Sequence, residues 1–152
     1  FRSSVAIITC FTLAHSLTLA LATLDVVHVP SRWVEPLIAA SIVFVGAENL
    51  IRRGAEPPGR WALTFVFGLV HGFGFAGILR DLGLGSAKGG ILMPLFSFNL
   101  GVELGQIAIA AVVLPMVWRL RKKEAFVARG VPALSAVVTL MGLYWLLART
   151  VL

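Results

Sequence analysis

His15, His71 and Glu103 each sit near the middle of an apolar stretch long enough to cross a bilayer. An ionisable group held in hydrocarbon costs about 2.5–3.5 kcal/mol on insertion scales unless it faces a partner or water. Two imidazoles and a carboxylate at similar depth therefore predict one shared polar site inside a helix bundle. Such a donor set suits a divalent transition metal, because imidazole binds zinc, copper, iron and nickel. The same groups could relay protons. The competing structural reading is interhelical hydrogen bonding, with each group tied to a carbonyl or hydroxyl.

Further polar residues recur at helical spacing around these three. Thr12, His15 and Ser16 share one face of the first segment, and Asn99, Glu103 and Gln106 share one face of the fourth. Glu48 and Asn49 lie near one end of the second segment, where Glu48 is also placed to pair with Arg52 at i+4. These are the secondary polar groups of the expected site. Gly68, Gly72 and Ala76 form a ridge of small residues beside His71, and Gly101 and Gly105 repeat it beside Glu103. Such ridges let a neighbouring backbone approach closely and read as helix packing. No catalytic residue is assigned. The sequence has no Gly-x-Ser-x-Gly elbow, no His-Glu-x-x-His and no phosphate loop.

The elements that must position these groups are helices. Of the 152 residues, 59% are hydrophobic and 13% charged, and the mean hydropathy is +0.94. Soluble domains carry about 25% charged residues. The pattern predicts an all-α, polytopic transmembrane bundle in a single domain, residues 1–152. Five helices are expected at about 5–24, 34–51, 61–79, 91–118 and 131–148, compared with the roughly 20 residues that span a bilayer. The segments are continuous rather than alternating, which argues against strands. The fourth segment is expected to tilt, or to kink at Pro94 or Pro115. Cys10 stands alone, so no internal disulfide can form.

The net charge of +6 is concentrated between the segments, which points to membrane orientation and away from nucleic acid. One side would hold nine basic residues: Arg2, Arg52, Arg53, Arg60, Arg119, Arg121, Lys122, Lys123 and Arg129. The other would hold Arg32, Arg80, Lys88 and Arg149. Positive charge accumulates on the cytoplasmic side, so residue 1 is expected inside and the C-terminus outside. Trp33, Trp61, Trp118 and Trp145 fall near segment ends, where aromatic anchors sit.

Four stretches carry a family resemblance. They are Phe11–Leu19 around His15, Glu35–Ser41 running on to Glu48 and Asn49, Phe67–Gly77 around His71, and Phe98–Gln106 around Glu103. The strings His-Gly-Phe-Gly-Phe-Ala-Gly and Phe-Asn-Leu-Gly-Val-Glu-Leu-Gly-Gln are specific. Across roughly residues 5–110 the chain resembles the HupE/UreJ family of bacterial membrane proteins. That resemblance implies a nickel or cobalt permease of the bacterial inner membrane, with the ion as its cargo. It also implies an earlier helix bearing a Gly-x-Asp-His motif, so a sixth helix is expected upstream of Phe1.

Two other classes fit the same residues. One is an intramembrane hydrolase, where His15, His71 and Glu103 would hold zinc with an open water position. The other is an accessory subunit of a larger membrane complex, with the polar groups binding helices together. Expected partners are the lipid bilayer, the metal ion and either a second copy of the chain or a larger membrane assembly.

Overall fold

A computed structural model of the chain describes residues 2–52, 59–81 and 92–151. Five α-helices make up this structure: α1 (Arg2–Thr23), α2 (Ser31–Arg52), α3 (Arg60–Asp81), α4 (Leu92–Leu120) and α5 (Val131–Thr150). A π-helical turn, Phe126–Gly130, leads into α5. No strand occurs among the described residues. Among the described residues, four helical stretches are long and apolar enough to cross a membrane: Ala6–Thr23, Ser31–Arg52, Met93–Leu120 and Phe126–Thr150. The chain is an all-α, multi-pass membrane protein.

Each boundary has a local cause. At the end of α1 the Val26 N–H donates to the Leu21 carbonyl at 2.9 Å, and the Asp25 N–H donates to Ala22 at 3.3 Å. Asp25 takes the left-handed conformation, φ 59°, that this terminating pattern requires. Asp tolerates it because its short polar side chain bonds locally. Helix α3 starts at Gly59, whose φ of 78° only glycine adopts freely. Its carbonyl accepts from Ala62 at 2.9 Å and Leu63 at 3.3 Å. Pro94 falls in the first turn of α4, where its missing N–H is not needed. Helix α4 then runs on through Pro115 to Leu120 as one element.

The helices associate mainly as two pairs, α1 with α3 and α2 with α5, joined where α2 meets α3. Glycines set both crossings. A Cβ at Gly68 would lie 2.6 Å from the Phe11 carbonyl, and one at Gly72 would fall on the Thr18 hydroxyl and the His15 carbonyl. Gly46 stands in the same way against Thr139 of α5, and Gly142 against Val43 of α2. In hydrocarbon the attraction between helices comes from such close packing rather than from burial of apolar surface. A salt bridge of 2.9 Å between Arg149 and Glu35 ties the end of α5 to the start of α2.

Helix α4 is held more loosely. It touches the bundle chiefly through α1. Leu95 joins Leu19 and Ala22 in a buried apolar cluster flanked by Phe73 and Phe98. Most of its remaining surface is exposed and apolar, including Leu100, Leu104, Ile107 and Val112. Trp33, Trp61, Trp118 and Trp145 are all exposed, as interfacial anchors are. The Lys122 ammonium sits 3.9 Å from the centre of the Trp118 ring, a cation–π contact at the end of α4.

Candidate functional site

The close crossing of α1 and α3 brings His15 and His71 to the same part of the bundle. Both rings flank Phe11. The Phe11 and His15 rings are stacked at 5.9 Å, and the His71 ring meets Phe11 edge-on at 5.4 Å. On its other flank His15 meets Phe75 edge-on at 5.6 Å, and Phe75 in turn packs on Phe98 of α4 at 5.7 Å. The histidines thus sit within a layered group of aromatic rings contributed by α1, α3 and α4.

The two imidazoles differ in how their nitrogens are satisfied. His71 Nδ1 lies 2.7 Å from the Phe67 carbonyl oxygen one turn earlier. A carbonyl only accepts, so Nδ1 carries the hydrogen and Nε2 keeps its lone pair in the neutral ring. A backbone partner of this kind orients metal-binding imidazoles. His15 is only 1% exposed, and among the described residues neither of its ring nitrogens has a hydrogen-bond partner. A buried polar group left this way costs about 1–3 kcal/mol. In native structures such a group takes its partner from outside the polypeptide, an ordered water or a bound ion.

The polar stripes predicted for the first and fourth helices do face each other. Thr12 donates to Gln106 Oε1 at 3.1 Å, and Ser16 donates to Asn99 Oδ1 at 2.7 Å. These two bonds bracket the histidine level and join α1 to α4. Asn99 also donates to the Leu95 carbonyl at 2.9 Å.

Glu103 departs from expectation. Its neighbours on the stripe reach α1, but Glu103 itself is exposed on α4. No group of three His, Cys, Asp or Glu side chains gathers at metal-binding distance among the described residues. The expected convergence of His15, His71 and Glu103 therefore reduces here to the two histidines. The cause is angular. At 100° per residue, Glu103 stands about 40° from Asn99 and about 60° from Gln106 around the helix. Leu95 lies on the opposite shoulder and is the residue α4 buries, which turns Glu103 outward.

The expected packing role of Gly101 and Gly105 is corrected by the same geometry. Among the described residues, nothing lies within 4 Å of where a Cβ would stand at either. Both are on the side of α4 turned away from the Asn99–Gln106 stripe. Gly68 and Gly72 do serve as expected; the side chain of Ala76 lies outside those described. Glu48 and Asn49 are drawn away from the histidines to the end of α2. There Glu48 pairs with Arg52 at 3.2 Å, and Asn49 accepts from Arg60 Nη2 at 3.1 Å.

An open groove of about 380 Å³, lined almost wholly by apolar side chains, runs beside Phe11 in the half of the bundle where α1 and α3 begin. Phe11, Ile8, Thr64, Gln106 and Ile109 are among its walls. The sequence singled out neither Phe11 nor the groove, since Phe11 is one apolar residue among many until α3 places His71 against it.

This is a multi-pass helix bundle with one buried imidazole, His15, and one half-buried imidazole, His71, set among aromatic rings. The chain belongs to the HupE/UreJ family: the family model described as HupE / UreJ protein matches residues 1–149. That family is related to nickel and cobalt transport. No curated protein and no solved structure matches the chain.

Proposed function

We propose that this chain is a permease that carries a divalent transition metal ion, nickel or cobalt, across the bacterial inner membrane. His15 and His71 would be its station partway across. The observation that carries this reading is His15, buried at 1% exposure beside a second histidine, with both ring nitrogens unpartnered among the described residues. A ligand-ready imidazole in a dry site is expensive to keep, and binding an ion there repays the desolvation. His71, oriented by the Phe67 carbonyl, would supply Nε2 as the second ligand. A permease must release what it binds. Two imidazoles fit that requirement better than the closed four-ligand shell that holds structural zinc.

Glu103 would join the station in a second position of α4. An ionised carboxylate against hydrocarbon is costly, about 2.5–3.5 kcal/mol on insertion scales. The two hydrogen bonds holding α4 to α1 are worth only about 0.6 kcal/mol each in a membrane. A rotation of α4 that breaks them and turns Glu103 inward is thus within reach once a cation sits at the histidines. The zinc hydrolase alternative needs three protein ligands held permanently around the ion, and no such trio is preformed among the described residues.

Uptake of radiolabelled nickel and cobalt tests the reading. His15→Ala and His71→Ala should each abolish accumulation while the protein remains folded and inserted, and Glu103→Gln should impair it. Normal uptake in both histidine variants would overturn the assignment and favour an accessory role.

A further inference from the structure

The two flanks of the histidine pair are closed in different ways. Beyond His15, towards the end of α1, lies the buried cluster of Leu19, Ala22 and Leu95, with Phe73 and Phe98 packed on it. The Phe75 ring stands between His15 and Phe98. Several layers of packed side chains therefore close that flank. Towards the start of α1, among the described residues, the side chain that separates the imidazoles from the groove is Phe11. Phe11 touches both imidazoles on one side and forms a wall of the groove on the other.

We propose that Phe11 is the gate between the histidine station and a vestibule on the side of the membrane where α1 begins. This inference rests on the permease reading for its cargo, but the gate itself concerns access alone. The vestibule is an open groove of about 380 Å³ between α1, α3 and α4. Its walls are mostly aliphatic, with Thr64 and Gln106 as polar exceptions. An ion there would keep its water shell and exchange it for imidazole only on passing the ring. Hydrophobic constrictions of this kind close by excluding water, and a side-chain rotation opens them. Gln106 is bonded to Thr12, next to Phe11 on α1. Movement of α4 would therefore reshape the vestibule and loosen the turn that carries the gate.

Access is measured on a thiol at the station, in a Cys10→Ser, His15→Cys background, with a membrane-impermeant cationic methanethiosulfonate. Reagent is applied to each side in turn, using right-side-out and inverted vesicles. With Phe11 in place, modification should be slow from both sides. Phe11→Ala should accelerate it about tenfold or more from the side where α1 begins, because an apolar constriction sets that barrier. From the opposite side the rate should stay slow. Phe11→Val, a milder cut, should fall between and carries the test if Phe11→Ala does not fold. Equal rates from both sides in these variants, or no acceleration from either, would overturn the gate. The uptake experiment on His15→Ala and His71→Ala is independent of this one. Histidine-dependent uptake without Phe11-dependent access defeats the gate alone. Phe11-dependent access with histidine-independent uptake defeats the permease station and leaves the gate standing.

Discussion

Gly72 of α3 lies directly against the backbone of His15 on α1, so that a Cβ at Gly72 would collide with the His15 carbonyl oxygen. The glycine sets both the helix spacing and the depth at which His15 sits beside His71. Gly72→Ala should cost about 1–3 kcal/mol, as overpacking does in tight interiors. Gly101→Ala should be neutral or stabilising by up to about 1 kcal/mol, because among the described residues nothing lies near it. Melting of the two variants in detergent checks the contrast. A loss at Gly101 as large as that at Gly72 would mean that another helix covers α4.

His15→Phe separates function from stability. The substitution removes two unpartnered nitrogens from a buried site and leaves a ring to stack between Phe11 and Phe75. Relief of that desolvation should raise stability by about 1–3 kcal/mol while uptake is lost. A lower melting temperature would show that the imidazole contributes hydrogen bonding to the fold, and would weaken the case for a ligand kept ready.

The hydrogen bonds between α1 and α4 should be individually weak and largely independent. Double-mutant cycles over Thr12→Val with Gln106→Leu, and over Ser16→Ala with Asn99→Leu, should each return coupling of about 0.6 kcal/mol. Breaking both should raise amide hydrogen exchange in α4 before it does so in α1 or α3, because α4 has few other contacts. Uniform loss of protection across all three helices would show that α4 is part of the rigid bundle.

The orientation expected from the basic residues can be read by thiol labelling. In a Cys10→Ser background, Lys122→Cys should react with an impermeant reagent only in inverted vesicles, and Val151→Cys only in right-side-out ones. The reverse pattern would invert the bundle and place the Phe11 vestibule on the external side.

The helical class was legible in the chain because hydrophobicity over some 20 residues is a property of composition, which needs no knowledge of partners. The polar stripes were legible too, since the 3.6-residue repeat decides which side chains share a face. The repeat does not decide which way a face turns. Gly68-x-x-x-Gly72 and Gly101-x-x-x-Gly105 have the same spacing, yet one is pressed against α1 and the other has no neighbour among the described residues. Gly46 and Gly142 set the crossing of α2 and α5 without any glycine four residues away to announce them.

The histidine site divides along the same line. From sequence alone came the presence of two imidazoles and a carboxylate at costly depth, and the pairing of Glu48 with Arg52, which is local to one turn. Tertiary structure decided that His15 and His71 meet across Phe11, that Thr12 and Ser16 take Gln106 and Asn99, and that Glu103 stays outside. The physical reason is that depth along a helix follows from counting residues at a fixed rise. The rotation of one helix against another follows only from the packing of side chains far apart in the chain, here Leu95 against Leu19 and Ala22.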